Sequence, residues 1–256
     1  MMLRLYRRNE ALILGTLSLL SIVVFWQFVV AQGWITEFFV SQPTLVAKDA
    51  LAQIHDGSLP DNLIATLSSF AIALGVAAAT GIGLGILAGW FRDVEAALEP
   101  FIWFKYSAPT IAFYPLFVAW LGYGRPTVVA IGALFALTPI YANTLSGIKN
   151  TDRDLVRAAH SFGARPLDIF FKVALPGSVP IVVAGLRLGV GRALTGVVLA
   201  ELFGAGSGLG NSIAYHAQLL ETTPMMVSIV VIILLGVILT QVLSWLERMT
   251  DSWRIG

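Results

Sequence analysis

The sequence predicts an all-α integral membrane protein with six membrane-crossing helices. Of its 256 residues, 57% are hydrophobic and only 12% are charged, whereas about a quarter are charged in an ordinary soluble domain. Such a chain has too few charges to coat a water-facing surface. The apolar residues are gathered in runs of about 20, which is the length of one helical crossing. Because lipid offers no hydrogen-bond partners to the backbone, these runs are predicted to be helices.

In chain order, the apolar runs place the crossings near residues 11–31, 63–90, 101–121, 126–148, 179–203 and 225–246. The first run could instead be a signal peptide, because basic residues precede it. Its length of about 20 residues exceeds the 7 to 15 of a secretory apolar region, and no clear small-x-small cleavage site follows it. We therefore interpret 11–31 as an uncleaved first transmembrane helix.

Two of the predicted spans carry glycines at four-residue spacing. The second contains Gly81, Gly85 and Gly89, and the fifth contains Gly185 and Gly189. Such stripes let helix backbones approach closely. They predict either packing within one subunit or a subunit interface or pore lining, and the sequence does not separate these interpretations.

Prolines interrupt the third and fourth predicted spans, which only the short sequence GYGR separates. Proline removes a backbone donor and bends or ends a helix. The boundaries of these two crossings are therefore the least defined. The prolines concerned are Pro109, Pro115, Pro126 and Pro139.

Lysine and arginine predict the orientation, because basic residues resist translocation and stay in the cytoplasm. They precede the first span, follow the second, fill the segment between the fourth and fifth, and close the chain after the sixth. The opposite side holds only Lys48 and Arg125. This pattern predicts cytoplasmic N- and C-termini, a cytoplasmic tail at 1–10 and a large external loop at 32–62.

The segment 149–176 is the only long polar insertion on the predicted cytoplasmic side. Asp152 can cap a helix, Gly163 can end it, and Pro166 suits the first turn of a second helix. The first helix would have an apolar face, which needs a partner in water. Taken alone, this pattern favours folding back onto the ends of spans two to four. The face consists of Leu155, Ala158, Ala159 and Phe162.

The sequence AAHSFG, followed by VALP, resembles the cytoplasmic loop signature of binding-protein-dependent ABC importer permeases. The matching positions are Ala158, Ala159, Gly163, Val173, Leu175 and Pro176. The segments SAPTIAFYPLFVAWLGYGRP, TDRDLVRAAHSFGA and GLRLGVGRALTGVVLAELFGAGSGLG resemble the sulfonate, taurine and nitrate branch of that family. Together these segments cover about residues 60–250, in order.

This resemblance implies a six-helix type I importer transmembrane domain at 60–250, located in the bacterial inner membrane. It also implies that the loop 149–176 of this domain carries a coupling helix for a separate ATPase. One position departs from the family, which usually has glutamate where this chain has Arg157. We therefore expect this loop to dock on the ATPase, as the resemblance implies, but we assign it no particular salt bridge with the ATPase. The implied coupling residues are Arg157, Ala158, Ala159, Phe162, Gly163, Ala164, Pro166, Leu175 and Pro176.

The resemblance also implies the partners: two ATPase subunits, a second permease subunit that is most simply an identical copy, and a binding protein that delivers a small solute. The sequence has no G-x-x-x-x-G-K-[ST] phosphate loop, so ATP and Mg²⁺ are expected on the ATPase. We expect no catalytic residue, cofactor or metal ligand on this chain, which has no cysteine and only three scattered histidines. A net charge of +1 gives no support for nucleic-acid binding.

The fifth predicted span contains charged residues, which lipid disfavours by about 2.5 to 3.5 kcal/mol each on insertion scales. We expect Arg187, Arg192 and Glu201 to face protein or water. All three are candidate translocation-path residues, and either arginine could attract an anionic solute, such as a sulfonate or nitrate. Alternatively, each could have a structural role at a helix break or subunit interface.

Three other functions fit the sequence less well. A channel would leave the loop signature unexplained. Six helices are too few for most secondary transporters, although a dimer could suffice, and no inverted repeat is visible between the two halves. An intramembrane protease would need Ser207 to have a base within hydrogen-bond reach, yet Ser207 and His216 fall in a predicted external loop.

Sulfonates, nitrate and heterocyclic compounds all remain possible cargos, because no motif in the sequence binds a named chemical group.

Overall fold

The described part of the chain is helical and contains no strand, which confirms the predicted all-α class. The computed structural model describes the backbone of residues 2–251 and the side chains of residues 14–245. Arg254, one of the basic residues from which the cytoplasmic C-terminus is predicted, lies outside the described residues. The helices are α1 (Met2–Ala31), α2 (Pro43–His55), α3 (Ser58–Trp90), α4 (Arg92–Ser107), α5 (Tyr114–Leu121), α6 (Arg125–Lys149), α7 (Arg153–Ser161), α8 (Pro166–Ile169), α9 (Leu175–Leu202), α10 (Leu209–Gln218) and α11 (Thr222–Asp251).

Among residues 2–251, five helical stretches are long and apolar enough to cross a membrane. They are Leu14–Ala31, Ser58–Trp90, Arg125–Lys149, Pro166–Leu202 and Thr222–Trp245. These stretches overlap five of the six predicted crossings. Residues 2–10 of the predicted tail and the predicted first crossing 11–31 fall in one continuous helix, α1.

The predicted crossing at 101–121 is not one helix, which corrects the sequence interpretation. α4 ends at Ser107, a 3₁₀ turn spans Thr110–Phe113, and α5 follows. Ala108 is extended, with φ −84° and ψ 135°, because a residue before proline is driven out of the helical region. Pro139, by contrast, lies inside the continuous helix α6.

The broken segment from α4 to α5 follows α6 from one end to the other. At one end, Nζ of Lys149 lies 2.7 Å from Oε1 of Glu95 in α4. At the other, the Thr127 hydroxyl donates to the Gly122 carbonyl, which follows α5, at 2.6 Å. Between them, the Lys105 ammonium group donates to the Thr138 hydroxyl near the middle of α6. The two short helices therefore cover the length of a full crossing.

The core is the stack of α3, α6 and α9, and the glycine stripes lie inside it. A Cβ on Gly85 would lie 2.6 Å from Cβ of Thr144, and one on Gly185 would lie 2.6 Å from Cβ of Asn143. Real Cβ atoms do not approach so closely, so only glycine allows α3 and α9 to pack this tightly against α6. The stripes therefore serve packing within one subunit.

Candidate functional site

The loop between α6 and α9 begins with a capped helix. An Asp152 carboxylate oxygen accepts a hydrogen bond from the Asp154 backbone N–H at 2.8 Å, so Asp152 caps α7 as its position in the sequence predicts. Such a bond satisfies one of the donors that a helix leaves free at its start. The beginning of the loop is thus defined by its own sequence.

Gly163 ends α7 in the left-handed conformation, with φ +74°. The Gly163 N–H donates to the His160 carbonyl at 2.9 Å, and the Ala164 N–H donates to the Ala159 carbonyl at 3.0 Å. This pair of bonds is the Schellman arrangement, in which glycine is favoured because it has no Cβ to clash at positive φ. The chain therefore reverses sharply after α7.

α8 returns the loop to the body of the protein. Pro166 occupies its first turn, and Ile169 is buried. The Phe170 ring packs on Trp90 at the end of α3, with 4.8 Å between the ring centroids. A wider π-type turn at Phe170–Ala174 then leads directly into α9. Movement of α7 and α8 can thus be passed to α3 and α9 through packed side chains.

The apolar face predicted on α7 points away from the other helices. Phe162 is 91% exposed and Leu155 is 57% exposed. The inward side of the loop instead carries Val156, which borders a groove against the ends of α3 and α6. The face does not fold back onto spans two to four in this structure, so that interpretation is corrected.

A second feature is a recess of about 560 Å³ where α4, α6 and α9 meet. Lys105, Thr138 and Arg192 line it. The Lys105 ammonium group donates to the Thr138 hydroxyl. Within the part of the chain whose side chains are described, neither cation forms an ion pair with a carboxylate. The recess is therefore electropositive.

The other two charged residues predicted for a path lie elsewhere. Arg187 borders a different groove, of about 580 Å³, beside Thr240 and Gln241 of α11. Glu201 is 1% exposed and borders neither opening. Of the three residues, only Arg192 shares a recess with another cation.

Glu201 instead holds the connection between α9 and α10 against α3. Its carboxylate accepts from the Thr66 hydroxyl at 2.9 Å and from the Gly210 N–H at 2.9 Å. The Thr66 oxygen in turn accepts from the Leu209 N–H at 2.8 Å. A Cβ on Gly208 would meet the Glu201 carboxylate. Gly208 and Gly210 thus leave room for the buried acid.

His216 and Ser207 do not form a catalytic pair. Nδ1 of His216 lies 2.7 Å from Oε2 of Glu221, and Ser207 is exposed. Among the described side chains, Ser207 has no hydrogen bond to a base.

Three comparisons relate this chain to known proteins. The family model of the binding-protein-dependent transport system inner membrane component matches residues 81–252. The chain belongs to this family. It is the transmembrane permease subunit of an ABC importer, a transport component of the inner membrane and not an enzyme.

Two curated relatives and one solved structure agree with this assignment. The taurine transport system permease protein TauC of Escherichia coli is 31% identical over 96% of this chain and 90% of its own length. The formylaminopyrimidine transport permease protein ThiX of Halalkalibacterium halodurans is 28% identical over 97% and 98%. The inward-facing MetNI methionine ABC transporter matches with a TM-score of 0.60 at 20% identity, covering 72% of this permease and 92% of that chain. This last likeness supports the type I importer permease fold.

Sequence reasoning missed two residues that the structure brings to these sites. Lys105 lies in the predicted crossing at 101–121, and a charge inside a predicted span was the signal that could have identified it. Thr66 had no such signal, because a lone hydroxyl in an apolar helix is common. Its pairing with Glu201 depends on how α3 and α9 of the permease meet.

Proposed function

We propose that this permease takes its energy from an ATPase that grips the loop 149–176 and that it conducts a small anionic solute. The observation that carries the coupling role is the exposed face of α7. Phe162 and Leu155 project from a helix that is capped at its start and closed by Gly163 at its end. Apolar side chains so exposed in water favour a partner with an apolar groove.

The loop is also anchored to the transmembrane core, as a coupling element requires. The bridge from Lys149 to Glu95 and the packing of Phe170 on Trp90 join its two ends to α4 and α3. An ATPase that moves α7 would then displace packed helices, and closely packed elements shift between discrete arrangements. This provides a route from nucleotide hydrolysis to alternating access.

The proposed assembly contains two ATPase subunits, two identical permease chains and a binding protein outside. We propose that both termini are cytoplasmic. Five long helices alone would put the termini on opposite sides, so this topology requires the broken segment 92–121 to serve as the sixth crossing. Its contacts with both ends of α6 support that assignment. ATP and Mg²⁺ would be held by the ATPase.

The nature of the solute is inferred from the recess and not from the relatives. Taurine and formylaminopyrimidine appear in the names of relatives of similar identity, so similarity alone leaves the cargo open. Lys105 and Arg192 in one recess favour an anion. Arg187 and Glu201 are less suited to the path, because they lie outside that recess.

Replacing Phe162 and Leu155 together with alanine tests the coupling proposal. Burial of one such side chain is worth about 1.5 to 3 kcal/mol, so loss of both should weaken ATPase binding at least tenfold. Co-purification of the ATPase with tagged permease measures this. Phe39, which is 72% exposed in the predicted external loop, provides the matched control Phe39→Ala. Unchanged co-purification and uptake in the double variant would contradict the proposal.

Substitution of Arg192 by glutamine tests the path. If Arg192 acts on the solute, uptake should fall while the complex retains ATPase binding and basal hydrolysis. The control is Arg187→Gln, in the separate groove beside α11. Simultaneous loss of uptake, assembly and hydrolysis would assign Arg192 a structural role instead.

A further inference from the structure

The electropositive recess lies near the middle of the membrane-spanning region. Thr138 is close to the centre of α6 (Arg125–Lys149), and Arg192 lies within α9. The break between α4 and α5 creates the opening, because Ala108 and Thr110 beside the break border it. Unwound backbone at membrane depth is tolerated where it lines a cavity. The recess is therefore a place where a solute can meet protein away from both water phases.

The polar lining of the recess suits a compact oxyanion. Lys105 has three ammonium donors, and its one hydrogen bond in the described structure goes to Thr138. Arg192 has a planar guanidinium with five donors and is exposed. Two like charges facing one recess in a low-dielectric region disfavour each other, and an anion between them removes that repulsion. Charged groups in such a region are typically functional.

Much of the remaining lining of the recess is apolar. Phe135, Ala142 and Leu188 border it, and Leu188 is 57% exposed. The volume of about 560 Å³ falls in the range of small-molecule sites, roughly 300 to 1,000 Å³. A bare inorganic anion would leave this apolar surface uncovered, whereas a short hydrocarbon group would bury it.

We propose that this recess is a solute-binding site of the permease itself, selective for an organic monoanion with an oxyanion head and a short apolar tail. The head lies between Lys105 and Arg192, and the tail lies on Phe135 and Leu188. This inference rests on the proposed function and goes further, because it gives the transmembrane subunit its own selectivity in addition to that of a binding protein.

The absence of cysteine from the chain permits a direct test that needs no turnover. Ala142, exposed at the edge of the recess, is changed to cysteine in the full permease, and its rate of labelling by a maleimide is read by mass spectrometry of the intact chain. The probes are ethanesulfonate and its uncharged isostere ethyl methyl sulfone. Thr240→Cys, in the Arg187 groove, is the control cysteine.

We expect ethanesulfonate to slow labelling of the Ala142→Cys chain at least fivefold, ethyl methyl sulfone to have no effect, and Thr240→Cys to respond to neither. Adding Lys105→Gln removes a charge-assisted hydrogen bond worth about 1.5 to 3 kcal/mol. It should raise the ethanesulfonate concentration needed for protection about ten- to a hundredfold, whereas Lys105→Arg should retain protection. Nitrate should protect more weakly than ethanesulfonate, because it has no tail.

If the sulfone protects as well as ethanesulfonate does, or if ethanesulfonate does not protect, the proposal of an anion-selective site is wrong. The comparison of the two probes on the single Ala142→Cys variant does not depend on whether the Lys105 variants fold. Failure of the loop to bind an ATPase would appear in co-purification and would leave the labelling result unchanged. The two proposals can therefore fail separately.

Discussion

The hydroxyl of Thr66 in α3 donates to the carboxylate of Glu201 in α9 at 2.9 Å, in a site where Glu201 is only 1% exposed. This bond ties α3 to the end of α9 across the core. It also positions the loop to α10, because the Leu209 N–H donates to the same Thr66 oxygen. Glu201, which the sequence suggests as a residue of the translocation path, thus holds helices together inside the protein.

Thr66→Val should destabilise the permease by about 1 to 3 kcal/mol. Valine keeps the shape of threonine but leaves the buried carboxylate without one of its donors, and an unsatisfied buried group costs about that much. Thermal unfolding of the purified complex in detergent measures the change. Thr80→Val on the same helix is the control, since Thr80 is exposed and bonds only to carbonyls of its own helix. Equal effects of the two substitutions would contradict the role of Thr66.

Gly85→Ala should destabilise the core by about 1 to 3 kcal/mol, the usual effect of overpacking. The added Cβ would lie 2.6 Å from Cβ of Thr144, so α3 and α6 must separate. Gly83→Ala, two residues away, meets nothing within 4 Å and should be neutral or stabilising by up to about 1 kcal/mol. Expression and melting temperature of the pair provide the measurement. A Gly85→Ala variant as stable as Gly83→Ala would show that the helices are not packed as described.

Gly163→Val should impair coupling without blocking membrane insertion. No atom lies within 4 Å of a Cβ at this position, so the effect comes from φ +74° alone, which costs an ordinary side chain about 1 to 2 kcal/mol. Gly163→Asn should retain more function, because asparagine tolerates the left-handed region. Uptake and ATPase co-purification are measured for both. Undiminished uptake with valine would contradict the importance of this turn.

The bridge between Lys149 and Glu95 should contribute about 0.2 to 1 kcal/mol, because both side chains are partly exposed. Its larger effect should be to hold the loop 149–176 in position, since it joins the start of this loop to α4. We expect Lys149→Glu to lower ATP-driven uptake and the exchange Lys149→Glu with Glu95→Lys to restore part of it. Failure of the exchange to restore uptake, with the permease still correctly inserted, would argue against a role in anchoring the loop.

The break in the third predicted crossing could not be predicted from the sequence alone. Pro109 and Pro115 signalled an interruption, but Pro139 gave the same signal and lies within a continuous helix. The carbonyl of Pro139 accepts from the Asn143 side chain at 2.8 Å, and α3 and α9 hold α6 on both sides. Local proline chemistry is the same in these cases, and the surrounding packing decides whether a helix continues.

The sequence by itself determined the membrane class, the position of most crossings, the family resemblance and the capped loop. These features depend on composition, on apolar run length and on short-range hydrogen bonds such as those of Asp152 and Gly163, all of which act between near neighbours in the chain. Only the tertiary structure decided that Lys105 shares a recess with Arg192, that Glu201 is buried against Thr66, and that the glycine stripes pack within one subunit. Those relationships join residues far apart in sequence, and they arise only when close packing of α3, α6 and α9 selects which helix faces meet.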